Sequence, residues 1–322
     1  MAQRIEQFRP KEEVVRSTRT RVTKLHNSLV DIFLCYNIFI MLKYKSLIWV
    51  VVFIAVTFGM GVSVYHTIQE ETSADYVIQT NAFFAPFEYY EDRKIVGVDI
   101  EIVDRTAEKL NKTFQINNVE FDTIIDNVEA GKIADAGAAG LTITPARAEK
   151  VDFTIPYYTS VQYAIFSNEH SPAVRDGHLV WENLAGLKVG TQTGSTGYLF
   201  ASDEIESGVL ADTNTTLKGM DSHQIAADAI AANIIDYAIA DELAAKYIVE
   251  KNPGLSALQL YYLGETVVED YPVEESYAIA VNKKRPELLN AFNEVLTEML
   301  EKDDNGKSTI DKLVLKHMGL SE

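Results

Sequence analysis

The chain has 322 residues, 47% of them hydrophobic and 24% charged, enough apolar material for one two-lobed unit or two small domains with packed cores. Its net charge of −18 is unevenly spread: residues 1–46 carry nine Lys/Arg against four acids, a net of +5, and the remainder a net of −23. That acidic balance argues against a nucleic-acid partner for everything beyond residue 46.

Between the two charge regimes lie residues 47–65, LIWVVVFIAVTFGMGVSVY, uncharged and close to the roughly 20 residues a helix needs to cross a bilayer. Basic residues before it and acidic ones after it orient such a span with its N-terminus in the cytoplasm and everything after His66 exported. An earlier apolar run, 29–42, is too short and carries Asp31 and Asn37. From Met41, the sequence MLKYKS followed by the apolar run reads as the n-region and h-region of an export signal, which makes Met41 the expected start of translation. Gly61 and Ser63 suit a cleavage site but Ala-x-Ala is absent, so a cut signal and an uncleaved anchor both stand. The single cysteine, Cys35, precedes the span outside any lipobox context, which excludes disulfides and thiol catalysis from the exported part.

Residues 66–75, HTIQEETSAD, are polar and read as a tether. Beyond them the patterning predicts a strand over 76–80, a helix over 97–110, a strand over 113–119, a helix over 121–130, a strand over 134–141 and a short helix over 145–150. This βαβ rhythm is that of an α/β sheet. The same alternation then resumes, with a strand over 187–191, helices over 197–207 and 222–232, a strand over 237–240 and a helix over 242–251. A late strand over 277–281 and closing helices over 287–301 and 309–317, parted by an Asp-Asp-Asn-Gly turn, complete it.

Three features carry chemistry. The stretch 139–158, AGLTITPARAEKVDFTIPYY, sets Arg147 just past a Gly-Leu-Thr-Ile-Thr turn and ahead of two tyrosines. A guanidinium offers a planar fork of donors that meets a carboxylate bidentately. The run 190–197, GTQTGSTG, follows a predicted strand and opens a predicted helix, where backbone amides attract an anion. It has neither the lysine of a phosphate loop nor the Gly-x-Ser-x-Gly of a nucleophile elbow. Asp241 ends the predicted strand IDYAIAD; at the carboxyl end of a strand in an α/β sheet it faces a cleft, and it also stands where a cap for the next helix belongs.

Gly140, Thr142, Thr144, Pro145, Arg147, Asp152, Phe153, Tyr157 and Tyr158, with NLAGLKVGTQTG at 183–194 and NAFFAPFEYY at 81–90, closely resemble the signature of extracytoplasmic solute-binding proteins of polar amino-acid ABC transporters (family 3, glutamine-, histidine- and arginine-binding type). The likeness runs from about Tyr76 to the C-terminus. It implies an α/β, two-lobed, periplasmic-binding-protein-like (type II) fold whose chain crosses between lobes near 158–161 and 273–277. Lobe 1 is then discontinuous, 75–160 plus 278–322, lobe 2 is 161–277, and 1–74 holds the basic segment, the transmembrane helix or signal, and the tether.

The resemblance also implies roles. Arg147 binds the α-carboxylate of the ligand, the Gly140 carbonyl and Thr142 hydroxyl flank the same zwitterion, and Asp241 binds its α-ammonium. Phe84 and Phe121 form aromatic walls that offer apolar contact and cation–π attraction. Gln192, Thr193 and Thr196 are the candidates in the 190–197 loop, and Asn81 and Glu120 the candidate polar readers of the side chain. Asp152 is expected to be a structural helix-turn residue, and Phe83 and Phe87 to pack in the core. The sequence departs from the family pattern at Ile155, in place of the usual aspartate before Pro-Tyr-Tyr, and at His317 and Met318, in place of Trp-Phe near the terminus.

The six histidines, His26, His66, His170, His178, His223 and His317, lack metal-ligand spacing and are expected at the surface; no metal or cofactor is expected. The expected function is a non-enzymatic receptor on the outer face of a bacterial membrane, anchored or secreted. It shuts on a polar L-amino acid and delivers it to separate ABC permease and ATPase subunits. Two other readings stand beside it. One is a membrane-anchored sensor, and the other a dehydratase on the same fold acting on prephenate or arogenate, with Glu120 or Glu88 as general acid, though neither has an evident partner to raise its pKa. The uncharged Asn81 and Gln192 favour a neutral side chain such as glutamine over arginine or lysine and leave aspartate, glutamate and cystine open.

Overall fold

The computed structural model describes residues 74–320 except 176 and 265–268, together with Val30, Phe33 and Leu34. The chain divides into two units, residues 1–73 and 74–322. The expected span at 47–65, the start at Met41 and most of the tether lie outside the described residues, among which no helix is long and apolar enough to cross a membrane.

The second unit opens with β1 (Tyr76–Thr80), the short strands β2 (Phe83–Phe84), β3 (Glu88–Glu91) and β4 (Lys94–Val96), and helix α1 (Val98–Leu110). Then come β5 (Phe114–Asn118), a 3-10 turn at Phe121–Thr123, α2 (Ile124–Ala130), β6 (Ala136–Gly137), α3 (Pro145–Lys150) and β7 (Asp152–Phe153). The middle of the chain gives β8 (Tyr158–Ser167), β9 (Leu179–Val180), β10 (Lys188–Gln192), α4 (Thr196–Glu206), β11 (Thr216–Met220), α5 (His223–Ala231), β12 (Tyr237–Asp241), α6 (Glu242–Lys251) and β13 (Leu255–Tyr262). It closes with β14 (Tyr271–Pro272), β15 (Glu274–Tyr277), β16 (Ala280–Val281), α7 (Pro286–Leu300) and α8 (Thr309–His317).

Two mixed sheets organise these elements. The first runs β5-β1-β6-β16-β7, with β1 parallel to β5 and β6, and β16 antiparallel to β6 and β7. The second runs β11-β10-β12-β8-β13-β14, with β10 parallel to β11 and β12, and β8 antiparallel to β12 and β13. A three-stranded meander, β2-β3-β4, stands apart. Each sheet is covered on both faces. Ile78, Val281, Phe292 and Leu296 lie in one core beside the first sheet, and Ile124, Val128 and Leu141 in another. Trp181, Leu184 and Val189 pack beside the second sheet, as do Ile230, Ile235 and Ile248 in a separate cluster. Burying each such side chain stabilises the fold by about 1.5–3 kcal/mol.

Local chemistry sets the helix ends near the site. Thr144 caps α3, its hydroxyl accepting from the Arg147 amide at 3.2 Å, and Pro145 takes the first helical position, where its missing N–H costs nothing. Ser195 caps α4 by accepting from the Tyr198 amide, and Ser222 caps α5 by accepting from that of Ile225.

Several expectations are corrected. The strand expected over 134–141 pairs only at Ala136 and Gly137, and beyond it the left-handed φ of 54° at Gly140 rules out an extended strand as far as residue 141. The strand expected over 277–281 is two strands, β15 and β16, in different sheets. The helix over 121–130 begins as the 3-10 turn. Asp152 sits in β7, opposite Val281, and not in a helix turn. Phe87 is buried as expected, but Phe83 is 53% exposed beside Tyr90, because β2 turns alternate side chains outward and inward.

Candidate ligand-binding site

The carboxyl ends of β1, β6, β10 and β12 deliver residues to one region: Asn81, the segment 139–142, Gln192 to Thr196, and Asp241. A small pocket there, of about 10 Å³, is lined by Phe84, Phe121, Gly140, Thr142, Gln192, Thr196 and Asp241, with Ala139, Ser195 and His223. A neighbouring pocket of about 170 Å³ is lined by Glu120, Phe121, Asp122, Thr193, Met220 and Asp221, so that Phe121 borders both.

Arg147 borders the first pocket without being one of its lining residues. It is buried; its Nη1 donates to the Thr142 carbonyl at 2.8 Å and its Nη2 to the Gly194 carbonyl at 2.9 Å, and its guanidinium lies 5.6 Å from the Phe121 ring centroid. Burial lowers its pKa, opposed by the charges of Glu275 and Asp241. Gly140 donates its amide to Asp99 Oδ2 at 2.9 Å, and its conformation presses the chain onto Phe84. Phe84 stacks on Phe87 with ring centroids 5.6 Å apart. Asn81 does not line the cavity: its Nδ2 donates to the Val119 carbonyl, and its Oδ1 accepts from the pocket-lining Gln192 Nε2. Thr193 and Glu120 belong to the second pocket.

Asp241 occupies the cap position of α6 but makes no side-chain cap bond. Its carboxylate instead accepts from Gln162 Nε2 at 2.6 Å and from the Tyr277 hydroxyl. Burial raises its pKa, against the hydrogen bonds from Tyr277 and Gln162 and the charge of Arg147.

Glu275, Gln162, Tyr277, Ser195 and His223 complete the site, and the sequence motifs do not single them out. Glu275 accepts from the Thr142 hydroxyl at 2.5 Å, and from Thr196 and Gln162. Burial and the charge of Asp241 push its carboxyl up to about 8. The signal that marks Gln162 and Glu275 is a polar residue in the inward phase of an alternating strand: Ser160, Gln162 and Ala164 point in along β8, and Glu275 and Tyr277 along β15.

The histidines divide. Contrary to the surface expectation, His223 is fully buried, its ring nitrogen 3.2 Å from the Ile239 carbonyl, and burial pulls it down to about 4. His317 is buried at its side chain, 3.1 Å from the Tyr89 hydroxyl. His170 is exposed, and His178 stacks on Tyr261 and pairs with Asp270. His26 and His66 lie outside the described residues. Glu88 is corrected too: it is fully buried, and burial with the nearby charges of Asp99 and Asp241 pushes its carboxyl well above the usual range, but it does not line the pocket.

The sequence profile of bacterial extracellular solute-binding proteins, family 3, matches residues 76–319. The chain belongs to that family. Among family 3 relatives, the arginine-binding extracellular protein ArtP of Bacillus subtilis is 28% identical over 242 residues, 74% of this chain and 84% of the relative. In structure the chain resembles an ancestral arginine-binding protein bound to arginine, with a TM-score of 0.62 and 29% identity over 75% of this chain and 97% of the other. An ancestral arginine-binding protein bound to glutamine matches with a TM-score of 0.61 and 31% identity over 76% and 97%. The family 3 solute-binding fold is thus an α/β fold with mixed sheets in this chain as well.

Proposed function

We propose that this chain is an extracytoplasmic receptor that closes two lobes around one polar L-amino acid and delivers it to an ABC importer with separate permease and ATPase subunits. The observation that carries the reading is a buried guanidinium and a buried carboxylate beside one pocket: Asp241 lines it, and Arg147 adjoins it through its contacts with the lining residues Thr142 and Phe121. Such a pair suits the two poles of an amino-acid zwitterion. Lobe 1 is 75–160 with 278–322, lobe 2 is 161–277, and the hinge is the antiparallel pair β8 and β15, where Tyr158 faces Tyr277 and Ser160 faces Glu275. Closure excludes water and strengthens the charged contacts, so the ligand shifts the population toward the closed form.

Arginine is the first candidate ligand. The names of the relatives support it, and so does the second pocket, where Glu120, Asp122 and Asp221 stand beside Phe121 and suit a cationic side chain. This revises the preference for glutamine drawn from Asn81 and Gln192, whose amides are spent on each other; glutamine is the alternative, supported by the glutamine-bound relative. The receptor works outside the membrane, held by the 47–65 segment or released by its cleavage, and needs no metal, cofactor or chemical step. Thermal-shift screening of the purified chain against the twenty standard amino acids tests the reading: arginine or another polar amino acid raises the melting temperature, and a flat response to all of them removes it.

A further inference from the structure

Asp241 and Glu275 converge on one nitrogen. Gln162 Nε2 donates to Asp241 Oδ1 at 2.6 Å and also to Glu275 Oε1, so its two protons serve two carboxylates. All three side chains are buried. Glu275 is also reached by hydroxyls from separate segments, Thr142 after β6 and Thr196 at the start of α4, and both threonines line the pocket. The groups facing the pair are Arg147 from α3, His223 from α5, Glu88 from β3, the Tyr277 hydroxyl from β15 and Tyr158 from β8. Two buried acids this close do not both ionise readily. Burial and the Asp241 charge hold the Glu275 carboxyl up to about 8, and the Gln162 amide bridges the two carboxyl groups. His223, held down to about 4, is neutral over the range where this proton moves.

We propose that ligand binding here is a proton exchange: the ligand's α-ammonium settles against Asp241 and expels the proton that Asp241 and Glu275 share. This deepens, and rests on, the receptor reading above. Only an O–H bond breaks. The proton passes from the carboxyl pair to solvent, and at that pair the positive charge it carried is replaced by that of the ammonium, while the ligand's carboxylate meets the charge of Arg147. With Glu275 ionised, the Thr142 and Thr196 hydroxyls donate to it and turn their lone pairs toward the ammonium. Protons and ligand then compete for one site, so apparent affinity rises with pH below about 8, by at most tenfold per pH unit.

Isothermal titration of the full-length chain with L-arginine and with L-glutamine tests this, at pH 7 in phosphate and in Tris, whose ionisation enthalpies differ, and again from pH 5.5 to 7.5. The expected result is a buffer-dependent enthalpy equivalent to release of a substantial fraction of one proton, and an affinity that climbs across the pH series. In Glu275→Gln, whose affinity is itself expected to fall because Thr142 and Thr196 lose their carboxylate acceptor, the buffer-dependent proton release and the climb in affinity with pH both disappear. Binding by the unaltered chain with equal enthalpies in the two buffers and a flat pH series overturns the inference alone, and that measurement does not depend on how the variant folds. Equal proton release from the variant also overturns it. Absence of binding by either amino acid overturns the receptor reading for these ligands and the inference with it.

Discussion

Gln192 donates from Nε2 to Asn81 Oδ1 at 2.8 Å, a buried hydrogen bond between the end of β10 in the second sheet and the end of β1 in the first. Gln192 lines the pocket, so the bond lies where a ligand between the sheets would be enclosed. Each end is anchored separately, Asn81 on the Val119 carbonyl and Gln192 on the Asp221 carbonyl. Under the receptor reading this bond belongs to the closed form and contributes to its population.

Asn81→Ala and Gln192→Ala are therefore each expected to weaken ligand affinity by about 3- to 10-fold, the range of one buried neutral hydrogen bond. The double variant is expected to be little worse than either single one. Calorimetric affinities for the four proteins of this cycle give the coupling, and strict additivity would place the bond outside the closing step.

Arg147→Lys keeps a positive charge but loses the fork that reaches Thr142 and Gly194 at once. The expected loss in ligand affinity is about 2–5 kcal/mol, roughly 30-fold or more, with a folded protein by circular dichroism. Affinity within threefold of the unaltered chain would remove Arg147 from the binding machinery.

Gly140→Ala should destabilise the fold. Its φ of 54° is unfavourable for alanine by about 1–2 kcal/mol, and an added Cβ would lie 2.6 Å from Phe84 Cε1. The ring borders the pocket, so affinity should fall with stability. Urea unfolding and calorimetry on the same variant check both.

Stability without ligand should fall as pH rises from about 4.5 to 8. Burial raises Asp99 from 3.8 to about 6, against hydrogen bonds from Tyr157 and Gly140, and raises Glu275 from 4.5 to about 8. Both folded-state values lie above the ordinary ones, so the stability linked to these groups is fully present below about 4 and is lost as pH rises through about 6 for Asp99 and about 8 for Glu275. For Glu275 the loss is on the order of 5 kcal/mol at most. Glu275→Gln should flatten the pH 5 to 8 part of the urea-unfolding curve; an unchanged slope would assign the effect to other groups.

Much of the fold is legible in the sequence because its signals are local. The helix over 145–150 has its cap in Thr144 and Pro145, and the strand at 76–80 is set by its short apolar run. β8 escapes notice because its inward side chains Ser160 and Gln162 are polar, which hides the alternation of a strand. β11 is hidden for a similar reason, with Lys218 and Gly219 breaking its pattern. Within the site, Arg147, Thr142, Gln192 and Asp241 are readable from motifs. Glu275 sits unmarked in the expected crossing segment, since nothing adjacent in sequence explains a buried acid there.

The sequence by itself determined the family, the α/β alternation, the charge boundary near residue 46 and the residue types able to hold a zwitterion, because periodicity, capping and motif spacing act over a few neighbours. Tertiary structure alone decided that Glu275 meets Asp241 on one amide nitrogen, that His223 is buried and neutral, and that Asn81 is spent on Gln192. Those facts depend on contacts across tens of residues, 36 between Asp241 and Tyr277 and 111 between Asn81 and Gln192, and on the burial that such contacts create. Desolvation, which sets how each of these groups titrates, does not exist until the sheets have packed.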